Sequence, residues 1–455
     1  MSGLDELSRE ELKALVLEFH SANMALSAKV SALEKEVAEL RSQLPGGGEG
    51  RPSWAKANRP KVEKKARKKR TKSFGRRLDT PTEYRIHAVD RCPDCGQKLS
   101  GGWVHDRRQV IDIPVSPMSA IEHVIIRRQC GVCGKRCTPS LDLSSDVVGK
   151  HRVGVRLMSL IGYLKTVCRL PVRTIRVLLH GLYGVHISDG EIVEILHTIA
   201  SLGEGVQADI VKQIRDSTFN HADETSWRED GQNGYIWSFS TPKVRLFIYN
   251  KSRSGRVAEE VLGEDYSGVT VSDFYSGYSR LLGIHQRCWV HFLRDLHKLK
   301  EDHEEDVGVG LWVAGVRDIY ERAKAFKSDR PEACRAQKLL FERELHAHAA
   351  PYLNTDAPQR VLAQRVERFL PELFVFVEYP EVPSENNAAE RAIRPAVVAR
   401  KISGGTRSPK GSETKMTLMS LFGTWAAQGV DSIETCTQML IGASKTVHPA
   451  PAGSL

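Results

Sequence analysis

STFNHADETSWREDGQNGYIWSFSTPKVRLFIYN, residues 217–250, decides the fold. STFNHADETSW, GYIWSFST and VRLFIYN are rich in β-branched and aromatic residues, and short turns holding Gly231, Gly234 and Pro242 join them. That pattern predicts an antiparallel meander. A helix is expected at about 255–262, followed by GVTVSDFYSGY, an apolar strand that ends at Asp273. Asp223 lies within the first strand. If the short fourth strand lies beside the first, Asp223 and Asp273 meet at one edge of the sheet.

Strand, hairpin, strand, helix, strand is the opening of a ribonuclease-H-like α/β fold. A third acid, brought in by a later helix, would complete a cage for two divalent cations, which clamp the attacking and leaving oxygens of an in-line phosphoryl transfer. Oxygen ligands favour Mg²⁺ or Mn²⁺ over zinc. The later segment SENNAAERAIRPAVVARK, residues 384–401, supplies Glu390, with Glu385 as its rival at the helix entrance. Plain structural roles fit the same acids. Asp223 suits a strand end, with Glu224 on the opposite face; Asp273 suits a turn cap; Glu390 suits an i, i+4 ion pair with Arg394. The C-x-x-H of HQRCWVHFLRDLHK makes Cys288 and His291 candidate metal ligands, and equally a core cysteine with a buried or DNA-facing histidine. Trp227, Tyr235 and Trp237 read as core, while Trp289 and Trp312 are candidates for stacking on an unpaired base.

Towards the N-terminus, RCPDCGQKL and QCGVCGKRC place Cys92, Cys95, Cys130 and Cys133 in two C-x-x-C knuckles. Four thiolates at that spacing suit one structural Zn²⁺ or a reduced metal-free cluster, with Cys137 a spare. VIDIPVSP and AIEHVIIRRQ read as short strands of a small β module. Residues 150–215 read helical, with one helix at about 172–180, a Gly-containing turn, and Ser188 followed by Glu191 as a capping box for the next. The pair suits a helix-turn-helix carrying Arg169, Arg173 and Arg176, or an ordinary helical hairpin.

Residues 51–77 hold thirteen Lys or Arg, among them Lys64, Lys65, Arg67, Lys68, Lys69 and Arg70, against the single acid Glu63. This +12 segment accounts for the whole net charge of +10 and leaves about −2 elsewhere. It suits a phosphate backbone, or a solubilising linker. Before it, Leu12, Val16, Phe19, Asn23, Leu26, Val30, Leu33, Val37, Leu40 and Leu44 repeat in steps of four and three. Branched residues and Asn23 at a, with leucines at d, favour a parallel two-stranded coiled coil, and a single amphipathic helix would share the pattern. The 455 residues suggest about three domains, and nine cysteines without scaffold-like spacing favour metal over disulfides. No long apolar run is present, and the acidic opening MSGLDELSREELKAL is unlike a signal peptide, so a cytoplasmic, nucleoid-associated protein is expected.

HADETSW, SDFYSGY, CWVH and ENNAAERAIRP together resemble the transposases of the insertion-sequence-66 family (TnpC-type), and CPDCG with CGVCGK resembles that family's zinc finger. The resemblance spans roughly residues 84–426. The second acid stands here in Ser272-Asp273-Phe274-Tyr275, where the family commonly has Thr-Asp-Gly-Tyr. The resemblance implies a DDE triad of Asp223, Asp273 and Glu390 holding two Mg²⁺ or Mn²⁺, with Asp223 bridging. It also implies a helical insertion before the Glu, and double-stranded DNA, both element ends and target, as partner, with accessory transposition proteins. Arg391, Arg394, Arg400, Lys401 and Arg407 would then neutralise phosphates.

The expected organisation is a multi-domain α+β chain: coiled coil 1–48, basic linker 49–83, zinc-finger module 84–145 and helical domain 146–215. The catalytic core would occupy 216–288, a helical insertion 289–378, the rest of the core 379–430 and a tail 431–455. The alternative is a non-catalytic, domesticated or decayed zinc-finger DNA-binding protein.

Overall fold

The computed structural model describes residues 29, 35, 80–111, 116, 118–149 and 151–447. The heptad segment and the basic linker, with Lys64 through Arg70, therefore lie outside the described residues, save Lys29 and Lys35. The chain divides into two units, residues 1–111 and 112–455, described separately below.

In the first unit, residues 80–111 carry no strand, only an isolated bridge of Arg91 to Lys98 around the first knuckle. In the second unit, AIEHVIIRRQ forms a strand only at β1 (Arg128–Gln129), paired with β2 (Arg136–Cys137) around the second knuckle. The expected β module is thus much sparser than its apolar residues suggested. Ile121, Val124, Ile125 and Ile126 stay exposed, with no ladder partner.

Four helices follow: α1 (Val155–Thr166), α2 (Val172–Tyr183), α3 (Asp189–Leu202) and α4 (Glu204–Arg215). Ser188 caps α3 as expected, its Oγ accepting the Glu191 N–H at 3.1 Å. Arg173 and Arg176 both pair with Asp189 at the start of α3, at 3.6 and 2.9 Å, which ties the two helices together.

The meander is present as β3 (Phe219–Glu229), β4 (Gln232–Ser240) and β5 (Arg245–Asn250). Asp230-Gly231 make the first hairpin with φ of 48° and 76°, the left-handed pair that matches strand twist. Because that turn is so tight, Gly234 falls inside β4 opposite Trp227 rather than in a turn. Helix α5 (Arg256–Leu262) leads to β6 (Val269–Ser272), and a short strand the sequence did not announce, β7 (Ile284–Arg287), completes the sheet. The order is β5-β4-β3-β6-β7, with β3, β6 and β7 mutually parallel and the meander antiparallel.

The insertion is helical: α6 (Trp289–Asp302), α7 (Val307–Ala325), α8 (Pro331–Ala349), α9 (Arg360–Leu373) and α10 (Val375–Glu378). It has its own core, in which Phe292, Leu296, Val316, Phe341, Leu345 and Phe374 surround Trp289 and Trp312. Both tryptophans are buried and Trp312 Nε1 donates to the His348 carbonyl at 3.0 Å, so neither is a base-stacking platform.

Helix α11 (Asn387–Ser403) lies on the face of β3 and β4, packing Ile393, Ala396 and Ala399 on Trp227, Ile236 and Phe247. Helix α12 (Pro409–Gln428) covers the β5 edge: Ser420 Oγ accepts the Phe247 N–H and Thr424 Oγ1 accepts the Arg245 N–H, at 2.9 and 3.0 Å. The expected tail holds a further helix, α13 (Ser432–Val447), with Cys436 and Leu440 buried and Thr437 bonded to Ser159 of α1. Its start was legible: Asp431 Oδ1 accepts the N–H groups of Ile433 and Glu434, the cap that Asp-Ser-Ile-Glu encodes. Among the described residues no helix is long and apolar enough to cross a membrane.

Candidate active site

The parallel pairing of β3 with β6 sets Phe219, Asn220 and His221 opposite Val269, Thr270 and Val271. Continued two residues, that register places Asp223 beside Asp273. The β6–β7 register, Ser272 opposite Arg287, likewise brings Cys288 to the next position in the row. Side chains alternate along β3, so Asp223 shares with Thr225 and Trp227 the face that α11 covers, while Glu224 points the other way. Glu224 accordingly accepts from Tyr278 Oη at 2.5 Å and pairs with Arg253 at 2.7 Å.

Asp223 is partly buried and its Oδ1 accepts the Glu224 N–H at 2.9 Å. Burial, then Glu224, Asp273 and Glu390 nearby, push its carboxyl up to about 7. Asp273 follows β6 directly and its Oδ1 accepts the Tyr275 N–H at 2.9 Å, the turn cap considered from sequence. Fully buried Arg287 fixes this turn, donating to the Asp273 carbonyl at 2.9 Å and Ser279 Oγ at 3.1 Å while pairing with Glu372 of the insertion.

Glu390 lies in the first turn of α11, 44% exposed, with His291 Nε2 of α6 at 3.6 Å from its Oε1. Glu385 precedes the helix and is half-buried. Two separated segments thus bring Asp273 and Glu390 into electrostatic range of Asp223. Among the described residues no three His, Cys, Asp or Glu side chains converge on one ion-sized point. The donor set nevertheless fits Mg²⁺ or Mn²⁺: all its atoms are oxygens, and the raised Asp223 carboxyl marks negative charge that a cation would relieve.

Cys288 is buried and its Sγ accepts the Asn386 N–H at 3.1 Å; burial, its largest influence, pushes the thiol upwards. This is the core cysteine of the alternatives considered. His291 stands at the acid site with Nδ1 buried and unbonded. Of the expected phosphate-facing cations, Arg391, Arg394, Lys401 and Arg407 are exposed. Arg400 is instead bound to β3, donating to Thr225 Oγ1 at 3.2 Å, the Ser226 carbonyl at 2.6 Å and Ser226 Oγ. It holds α11 on the sheet. Arg287, His221 and Asn386 escaped the sequence reading; only Asn386 carried a signal, as part of ENNAAER.

The two cysteine knuckles are built alike. Cys92 N–H donates to Gln97 O and Gly96 N–H to Cys92 O; Cys130 N–H donates to Lys135 O and Gly134 N–H to Cys130 O, all at 2.9–3.0 Å. Gly96 and Gly134 have φ of 72° and 71°, which only glycine adopts without strain. The Cys95 N–H, foremost, lowers the Cys92 thiol pKa, and the Cys133 N–H does the same for Cys130. Cys137 is exposed, and its Sγ donates at 3.9 Å to the Lys135 carbonyl that also accepts the Cys130 N–H.

Fold and site define an α+β protein with acids gathered at the parallel edge of a mixed five-stranded sheet. The profile of the IS66 family of transposases matches residues 150–414, more than half of the chain, and the chain belongs to that family. It is similar to the uncharacterized protein y4jO of Sinorhizobium fredii, 32% identical over 166 residues, covering 36% of this chain and 49% of the relative. A second uncharacterized protein of that organism, y4qI, is 27% identical over 227 residues, 44% of this chain and 40% of the relative. The chain spans less than half the length of these curated relatives.

Proposed function

We propose that the chain is a DDE transposase with a ribonuclease-H-like core, in which Asp223, Asp273 and Glu390 are the acids that hold two Mg²⁺ or Mn²⁺. The observation that carries this reading is the register placing Asp223 beside Asp273 under the helix that bears Glu390. When bound, the cations would stabilise charge on the attacking and leaving oxygens at a phosphodiester. Water opens one strand at the element's end, and the freed 3′-hydroxyl attacks target DNA. In the first step the water oxygen replaces the 3′-oxygen at phosphorus, leaving a 3′-hydroxyl and a 5′-phosphate. In the second the 3′-hydroxyl oxygen replaces the 3′-oxygen of a target phosphodiester, releasing a target 3′-hydroxyl, and neither step forms a covalent enzyme intermediate.

The chain's own part is to bind and orient DNA. Arg391, Arg394, Lys401 and Arg407 sit on and just after the acid-bearing helix, where exposed cations would meet phosphates. The two C-x-x-C knuckles would together supply the four thiolates of one structural Zn²⁺, Cys92, Cys95, Cys130 and Cys133, a reading carried by their spacing in the sequence. The heptads of residues 12–44 would pair two copies, and the basic run 51–77 would grip the DNA backbone. Accessory transposition proteins complete the assembly in this reading.

The test is an assay of Mg²⁺-dependent nicking and joining on a duplex carrying the ends that flank the gene. Asp223→Ala, Asp273→Ala and Glu390→Ala are each expected to retain the duplex in a gel shift while losing about 100- to 1,000-fold or more in cleavage, the scale of losing preorganised charge stabilisation. Wild-type retention without cleavage would instead make this a DNA-binding protein, and cleavage without joining would make it a plain nuclease.

A further inference from the structure

The insertion leaves the sheet after Cys288, and the chain returns to it at Asn386, 98 residues later and four before Glu390. Its two ends are closed on each other. Trp289 N–H donates to Ser384 O at 2.9 Å, and Asn386 N–H donates to Cys288 Sγ at 3.1 Å. The Asn386 side chain then crosses to β3: Nδ2 donates to the Ala222 carbonyl at 2.9 Å, and Oδ1 accepts from His221 Nδ1 at 2.8 Å. His221 and Ala222 are the two residues before Asp223. The Asn386 carbonyl in turn accepts the Glu390 N–H at 3.2 Å. Asn386 is 1% exposed, so its bonds are shielded from water.

We infer that Asn386 is a positioning residue for the acid site: one buried amide joins the backbone beside Asp223 to the first turn of the helix carrying Glu390. A five-helix excursion separates Glu390 from the sheet in sequence, and its register must be restored afterwards. The closure at Cys288 and the crossing to β3 restore it locally, whatever lies between. The inference rests on the proposed acid site. Residues that orient metal ligands typically change affinity 10–100-fold when removed.

Gln286 supplies the control. It is an equally buried amide, donating to Arg287 O at 2.7 Å and Leu373 O at 3.2 Å and accepting the Phe376 N–H at 2.9 Å, and these bonds tie the insertion to β7 with none to β3. Its loss should cost stability alone.

The experiment is Mn²⁺ binding to the full chain by calorimetry, with thermal melting alongside, for wild type, Glu390→Ala, Asn386→Ala, Asn386→Ser and Gln286→Ala. Glu390→Ala and Asn386→Ala should each weaken Mn²⁺ binding by about 10-fold or more, with Asn386→Ser between them and wild type. Gln286→Ala should melt lower and bind Mn²⁺ as wild type does. Wild-type affinity in both Asn386 variants, beside a weakened Glu390→Ala, would overturn the positioning role. An equal loss in Gln286→Ala, or failure of both Asn386 variants to fold, would overturn it too. If Glu390→Ala itself binds as wild type, the underlying acid site falls, and the inference with it.

Discussion

Asp223 shows most clearly what single residues decide. Its carboxyl, raised to about 7 by burial and by Glu224, Asp273 and Glu390, is favoured in its protonated form when no cation is bound. Relative to an unfolded carboxyl near 3.8, the stability linked to this group is complete at low pH and is lost as pH rises through about 7. Asp223→Asn keeps the Oδ1 acceptor for the Glu224 N–H and removes the charge. It should therefore raise the metal-free melting temperature clearly at pH 8, less at pH 5 and little below the unfolded carboxyl value of about 3.8; an equal shift at pH 8 and pH 5 would refute the electrostatic account. The positions of these acids in the fold were legible in the sequence, because an Asp within a β-rich run, an Asp closing an apolar one and a Glu in a helical motif leave local patterns. Asn386 and His221 were not readable as a pair, because a buried bond spanning 165 positions leaves no local trace. Arg400 misled for a related reason: its charge suggested phosphate, whereas Thr225 and Ser226 hold it on the sheet.

Among the elements, β3 to β6 were foreseen since their β-branched and aromatic residues alternate. Strand β7 was not, since IHQR has no apolar periodicity; Gln286 and Arg287 are buried there because the insertion, with the turn after β6, satisfies them. Arg287 links three elements, bonding to the turn after β6 and to Glu372 of α9 while its guanidinium lies 4.8 Å from the Phe369 ring. Arg287→Ala should destabilise the chain by about 3 kcal/mol or more in a denaturant titration, the usual cost of breaking a buried pair and its bonds. A change below about 1 kcal/mol would show that the turn holds itself. Trp289 and Trp312 illustrate the limit of reading aromatics singly: only the packed helices show that they fill a core rather than face a base.

At the scale of the whole molecule, the fold brings together residues far apart in sequence: Asp273 and Glu390 both lie close enough to Asp223 to raise its carboxyl. The proposed zinc makes its own prediction. The purified chain should carry about one Zn²⁺, the stoichiometry of a four-thiolate site, and Cys92→Ser should lose it; a metal-free wild type would remove the finger from this account. The central claim is that Glu390, and not its neighbour Glu385, completes the acid site. Mg²⁺-dependent nicking of an end-bearing duplex by Glu390→Ala and Glu385→Ala, compared at equal DNA occupancy, tests it most directly. The account predicts that Glu390→Ala is inactive and Glu385→Ala retains cleavage; an active Glu390→Ala beside a dead Glu385→Ala would contradict it.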